Sequence, residues 1–348
     1  MIEVDGSQKS GSGTILRMSV ALAAVRGQPL HIYNIRQNRP QRGLKPQHLE
    51  AVLTAARLCD ADLEGAKLGS RELWFKPKRV KGGDVEAEIG TAGSIPMLLL
   101  TVLPMCVFAE NTVNLHVSKG GTDVSHSPTI NYVRFVLLPV LKRMELDAVL
   151  TVHKYGYYPK GMGEVTLTVE PCKSLKPLRL ESFGKIKTIN GISICTFLGE
   201  REVAKRQARA AIDYVKDKTG YTADIHVVND YSNSQQKGSS IVLWAETDTG
   251  ITLGADAIGE LKKTSEAVGV EAAEKLVTEI SAMPTVDEHL ADMLVPYIAL
   301  VSNSSVYFAR TVSEHLETNI WLVERILDIR LNIKKVDGLY KVEKSSET

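Results

Sequence analysis

His315 stands in the stretch Arg310 to Leu327, RTVSEHLETNIWLVERIL, near the start of a helical pattern. Orphan N–H groups and the helix dipole at such a start favour a neutral imidazole and attract phosphate. A neutral imidazole is a nucleophile. Leu316, Ile320, Val323 and Leu327 form one apolar helical stripe, spaced four, three and four residues apart. Two start signals compete here: Thr311 with Glu314 has capping-box spacing, whereas Thr318-Asn319 would cap a shorter helix. Either choice keeps His315 within about a turn of the N-terminus. Taken alone, the residue also reads as a surface histidine, because catalysis needs a constellation of groups.

Three other stretches carry groups of the right kind. The loop after Ile35 is the most cationic of the chain, with Arg36, Arg39, Arg42 and Lys45 interleaved with prolines and Gly43. Prolines stiffen such a loop, so the arginine forks can be held around phosphate oxygens. Without further support it is equally a solvated basic loop. Gln47-His48 then opens a helix. Asp5 to Thr14 is a glycine-rich turn between a strand and a helix, a frame that can present backbone N–H groups to phosphate. No Gly-Lys-Ser/Thr follows it, so it is not a P-loop, and a purely structural turn fits as well. Asp292 lies three residues past His289 in Glu288 to Leu300, so both side chains share one helix face.

The elements that position these groups recur along the chain. Met1 to Val4 is read as a strand, Ile15 to Val25 as a helix and Leu30 to Ile35 as a strand, with a helix reaching about Cys59. Glu86 to Ile89 precedes Gly90-Thr91-Ala92-Gly93-Ser94 and an apolar helix. Asn114 to Val117 precedes Lys119 to Asp123 and a helix over Thr129 to Met144, and strands at Val149 to His153 and Glu164 to Val169 close what reads as a third unit. Repetition of strand, glycine turn and helix predicts an internally repeated α/β architecture. Pro171 to Pro177 reads as a linker, after which the chain restarts with its own α/β set from about Lys185. That set comprises a strand at 187–197, a helix at 203–218, a strand at 223–228, a hairpin at 241–253 and a helix at 270–283, with Ser232 to Ser240 as a mobile loop.

Composition bounds the reading further. At 348 residues the chain is long for one core and is better divided into two units. A net charge of +1 makes no cationic field, so any RNA contact rests on local clusters. Lys76, Lys78, Arg79 and Lys81 are one such cluster and Lys205, Arg206 and Arg209 another, both read mainly as solvent-facing. Cys59, Cys106, Cys172 and Cys195 are far apart and lack C-x-x-C spacing, which points to a reducing compartment and to neither zinc nor disulfides. The apolar run Ile95 to Ala109 contains Pro96 and Pro104 and is too short for a membrane span, so it is expected to be a buried helix. With no signal-peptide pattern at the start, a soluble cytoplasmic protein is expected.

His315-Leu316-Glu317-Thr318-Asn319 resembles the H-x-x-T-N signature of the RNA 3′-terminal phosphate cyclases, with an archaeal-like pattern. Seven further blocks resemble that family in the expected order: Val4 to Arg17, Ile35 to Leu49, Leu63 to Leu73, Gly90 to Ser94, Lys119 to Asp123, Gly156 to Val165 and Asp287 to Leu300. Together they span nearly the whole chain. The resemblance implies an α/β (α+β) fold: a large domain of three repeated βαβαββ-like units, residues 1–184 and 285–348, with a smaller α/β domain inserted at 185–284. It shares that design with the enolpyruvyl transferases.

The same resemblance implies ATP and a divalent cation, Mg or Mn, as cofactors and an RNA with a 3′-phosphate end as partner. His315 would take AMP covalently with loss of pyrophosphate, AMP would pass to the RNA 3′-phosphate, and the 2′-hydroxyl would close a 2′,3′-cyclic end. Arg17, Arg36 and Arg39, with Arg42 as a further candidate, would contact phosphates, and Gln47 phosphate or ribose. Pro128 and His289 would sandwich the adenine, Asp292 would bind the nucleotide, and Thr318 and Asn319 belong to the signature. Two positions depart from the pattern. His289 replaces the usual stacking tyrosine, which implies weaker nucleotide binding. Ser10 stands where bacterial members carry a metal-binding glutamate and Thr14 where a glutamine is frequent, so this loop lacks the expected hard-cation ligand. The rival readings are a non-catalytic cyclase-like protein of ribosome biogenesis, which would lack the histidine, and an enolpyruvyl transferase, which would lack H-x-x-T-N.

Overall fold

The structure is a computed structural model that describes residues 1–345. Its first sheet has Ile2–Asp5, Leu30–Tyr33, Leu73–Lys76 and Asp62–Glu64 side by side in that order. The first two strands are parallel and the remaining pairs antiparallel. Parallel neighbours need a crossover, and the Gly13–Arg26 helix supplies it.

The same spatial order, first, second, fourth, third, returns in Gly83–Glu88, Val113–Gly120, Gly163–Val169 and Ala148–Lys154. Here the sequence expectation is corrected. The strands near Glu86 and Asn114 do not open separate units; they pair in parallel within one sheet, and residues 83–169 form the second unit alone. The third unit comes later. Val286 bridges Ala309 in parallel, and Ser305–Ala309, Leu339–Lys344 and Asn332–Val336 continue the same order. Its first strand is reduced to that bridge, which is why no strand pattern announces it.

Helices of the three units pack on one another, with Gly13–Arg26 against Pro46–Cys59, Ile95–Cys106 and Glu314–Leu327, and Glu288–Leu300 against Glu314–Leu327. Ile95–Cys106, capped by Ser94, is buried almost throughout, as an apolar run without polar stripes must be. The helix expected over Thr129 to Met144 is broken into Ile130–Tyr132, a π segment at Val133–Leu137 and Leu138–Lys142. Pro139 has no N–H to donate to the preceding turn, so regular α bonding cannot run through it.

Residues 186–282 build their own sheet, ordered Ala223–Asp230, Ile186–Thr196, Gly238–Thr247, Thr252–Ile258, under the helices Val203–Thr219 and Ser265–Ala282. The 232–240 stretch is held more firmly than its serines and glycine suggest. Asn233 is buried, and its Nδ2 donates to the carbonyls of Tyr155 (2.7 Å) and Gly161 (3.1 Å). Lys160 N donates to Gln236 Oε1 at 3.2 Å. Asn233→Ala leaves two carbonyls without their partner, so a loss of about 1–3 kcal/mol is expected. A lower denaturant midpoint at unchanged slope would show it; an unmoved midpoint would mean water replaces the amide.

The remaining basic clusters are tied up at the surface. Lys78 and Lys81 reach Asp60, Arg79 reaches Glu110, Lys205 pairs with Glu202 and Arg206 with Glu266. The four cysteines are free thiols. No helix among the described residues is long and apolar enough to cross a membrane.

Candidate active site

A cleft of about 520 Å³ opens where the three units and the 186–282 unit meet. Arg17, Pro128, His289, Asp292, His315 and Asn319 line it together. These six come from three helices and one loop, scattered over about 300 residues of sequence.

His315 is the second residue of the Glu314–Leu327 helix. Neither expected cap is used: Ser313 is the N-cap, in extended backbone, and its Oγ accepts from Leu316 N at 2.9 Å. Thr311 is left outside the helix with its hydroxyl buried and unpartnered. Thr318 lies inside the helix, its Oγ1 donating to Glu314 O and accepting from Ser10 N. Leu316, Ile320 and Val323 are buried as the stripe predicts, joined by Leu322 and Ile326 where Leu327 was expected. His315 itself is open to the cleft, and its Nδ1 lies 3.3 Å from Thr14 Oγ1. The surrounding walls lower its pKa first, followed by the positive fields of Arg17 and Arg39. The imidazole is thereby kept neutral, as a nucleophile requires.

Arg17 is positioned by a close approach at Gly13. A Cβ on Gly13, one turn earlier, would fall onto His48 Nε2 and Arg17 Nη1, so only glycine lets helix, histidine and guanidinium meet. Burial and the neighbouring Arg36 bring the Arg17 pKa down to about 10. It remains charged at neutral pH. Its only hydrogen bond among the described residues is a long one, 3.5 Å from Nη2 to Thr14 Oγ1, so the fork is available to an anion. His48, buried beside three cations, has its pKa lowered to about 2 by burial first and by Arg17, Arg36 and Lys45 next.

The arginine loop divides by role. Arg36 is buried and its Nη1 donates to the carbonyls of Gln41 (2.6 Å) and Gly43 (2.9 Å), bracing the loop from within. Arg39 is exposed and acts on His315 electrostatically, and Arg42 is exposed on the same loop; neither is part of the cleft lining. Asn38 Nδ2 ties the loop to Ser7 O of the glycine-rich turn. Gln47 faces the Gly90–Ser94 turn, where its Oε1 accepts from Ser94 N at 2.8 Å.

Asp287 caps the Glu288–Leu300 helix and sets the opposite wall. It accepts from His289 N and Leu290 N, while Tyr132 Oη donates to it at 2.6 Å. His289 stands edge-on to Tyr132 at 5.6 Å between ring centres. Burial raises the Asp292 pKa to about 7 against the hydrogen bond from Ser313 Oγ (2.6 Å). Ser313 therefore joins the cleft-lining Asp292 to the cap of the His315 helix. Asn319 Nδ2 donates to Asp292 O, and its Oδ1 is buried without a partner. Pro128 precedes Thr129, whose side chain caps the next helix and whose N–H donates to Asp256 Oδ2.

Sequence reasoning missed several lining groups. Asp256, Lys263, Glu271 and Lys275 reach the cleft from the 186–282 unit, with both lysines paired to Glu271. Met18, Met97, Leu100 and Met293 supply an apolar floor. Nothing in local sequence marks them. Ser313 was readable, since serine three residues before Leu316 is a cap signal in its own right.

Around Ser10 the donors are hydroxyls: Ser10 Oγ lies 3.0 Å from Ser12 Oγ and its N–H meets Thr318. Among the described residues no three His, Cys, Asp or Glu side chains are grouped to hold a metal ion. This donor set does not fit a protein-held hard cation.

A family profile described as RNA 3′-terminal phosphate cyclase matches residues 8–333. Curated relatives of that name include those of Methanopyrus kandleri, 42% identical over 97% of this chain and 96% of its own, and Pyrococcus furiosus, 41% identical over 96% and 95%. The protein of Methanosarcina barkeri is 42% identical over 99% of this chain and all of its own. Among solved structures, the enolpyruvyl transferase NikO from Streptomyces tendae aligns with 98% of this chain and 47% of that one at 11% identity, with a TM-score of 0.34, a likeness too slight to bear on activity. Profile and relatives agree over almost the full length, and this chain belongs to the RNA 3′-terminal phosphate cyclase family.

Proposed function

We propose that the protein uses ATP to convert an RNA 3′-terminal phosphate into a 2′,3′-cyclic phosphodiester, with His315 as the covalent carrier of AMP. One observation carries this reading: a neutral imidazole at a helix N-terminus shares a cleft with an arginine free of ion pairs among the described residues, Asp292, and the Pro128 and His289 side chains. In the first displacement the free lone pair of the His315 ring forms a bond to the α-phosphorus as the bond to pyrophosphate breaks. Arg17 and Arg39 supply positive charge where negative charge gathers on the phosphoryl oxygens. Pro128 and His289 offer the faces for the base, and Asp292 with Asn319 the polar contacts.

In the second displacement an oxygen of the RNA 3′-phosphate takes the AMP and frees the ring. The neighbouring 2′-hydroxyl then attacks that phosphate, expelling AMP. A divalent cation would enter with the triphosphate, held by phosphate and water, because the Ser10 loop offers no carboxylate. No step is assigned to a protein-held metal.

Incubation with ATP labelled at the α-phosphorus tests the reading. Base-stable, acid-labile label on the protein and a cyclic end on a 3′-phosphorylated oligonucleotide are expected. A protein that takes no label would instead fit the non-catalytic or enolpyruvyl-transferase rivals, although His315 argues against the first and the H-x-x-T-N block against the second. Arg39→Lys separates charge from geometry: losing the two-pronged contact should slow labelling about tenfold or more, one charge-assisted bond of about 1.5–3 kcal/mol. Unchanged kinetics would assign the exposed loop to solvent.

A further inference from the structure

The geometry points to Thr14 as the positioning residue that sets which nitrogen of His315 is free to react. The assignment rests on the reading of His315 as the AMP acceptor and on two contacts. Thr14 Oγ1 lies 3.3 Å from His315 Nδ1, and Arg17 Nη2 donates to the same oxygen at 3.5 Å. No other hydrogen bond of the His315 ring occurs among the described residues.

A hydroxyl oxygen has two lone pairs and one proton. Arg17 occupies one lone pair, and the guanidinium has no lone pair to offer in return. The hydroxyl could also give its own proton to a bare Nδ1. The arrangement assigned is the one in which its remaining lone pair accepts Nδ1–H of His315, because that leaves the free lone pair on Nε2, the nitrogen Thr14 does not occupy. Thr14 is itself held in place, because its N–H is bound by the Ser12 cap. The contact also responds to the reaction. When Nε2 bonds to phosphorus, positive charge develops on the ring and Nδ1–H becomes a charge-assisted donor to Thr14, so the bond strengthens as the transition state forms. A hydroxyl does here, from the first turn of one unit, what a carboxylate or carbonyl does behind many reactive histidines.

The experiment uses the full chain. Nitrogen NMR of the imidazoles, with the His315 signals assigned by their loss in His315→Ala, reads the tautomer directly. The wild type should show a protonated Nδ1 and a bare Nε2. Thr14→Val keeps the branched shape but removes the acceptor, and should move the proton population toward Nε2 and slow AMP labelling about tenfold at unchanged ATP KM, the loss of one hydrogen bond that tightens in the transition state. Thr14→Ser should restore both readouts, which a merely structural role would not do selectively. A bare Nδ1 in the wild type, or a Thr14→Val variant with unaltered tautomer and rate, overturns the assignment. If the tautomer is as stated but the wild type takes no AMP, the functional reading fails and the positioning stands.

Discussion

His315→Ala is expected to lose AMP labelling by at least about 10³-fold while keeping its fold, because removing the nucleophile removes the covalent route altogether. The structure separates these two outcomes. His315 is open to the cleft and among the described residues its ring meets Thr14 alone by hydrogen bond, and the helix it sits on is capped by Ser313 and anchored by buried Leu316, Leu322, Val323 and Ile326. Substitutions of such exposed side chains move stability by less than about 0.5 kcal/mol. Labelling and thermal unfolding of the same preparation check the pair. Full labelling of the variant would move the nucleophile elsewhere, and a collapse of stability would make any loss of labelling uninformative.

Arg17→Met should have the next largest effect and should change the pH profile as well as the rate. In the proposed reaction Arg17 would act on the transferred group and on His315 at once. As an unpaired fork in the cleft it can stabilise the phosphoryl oxygens, and its loss should cost about 10- to 100-fold in labelling rate, one or two charge-assisted contacts. After burial, Arg17 has the largest effect in holding the His315 ring below its ordinary proton affinity. The sign follows directly. A positive neighbour disfavours imidazolium, so its removal raises the His315 pKa, and the acid limb of the labelling rate should move to higher pH. Arg17→Lys keeps the charge and should hold the limb near its original place while still losing rate. A lowered rate with an unmoved acid limb in Arg17→Met would show that the arginine serves the phosphate alone.

The local elements were legible because they rest on short-range physics. Periodicity in 316–327, the glycine-rich turns and the polar loop chemistry each involve residues within a few positions of one another, and they placed His315 in a helix's first turn correctly. The H-x-x-T-N block and its companions led to the family that the profile and the relatives then showed. A count of three units came with the resemblance, but the units read from the residues were not the ones that form: two of them merge into one sheet, and the third lies at 286–344.

Tertiary structure decided what depends on partners distant in sequence. Two adjacent strand patterns merged into one sheet because pairing is settled by which faces can be buried together, and sequence spacing does not contain that information. The cap of the His315 helix went to Ser313 because only its hydroxyl reaches both Leu316 N and Asp292. Arg36, one of three similar arginines on paper, turned inward because the carbonyls of Gln41 and Gly43 lacked other donors. Asn233 froze a stretch that its neighbours marked as mobile, by bonding carbonyls 72 and 78 residues away. His315 was determined as a reactive type by sequence alone. That it faces Arg17, leans on Thr14 and shares a cleft with Asp292 was decided by the packing of helices that sequence separates by some 300 residues, since long-range contacts form only where mutual burial outweighs the entropy of closing the chain between them.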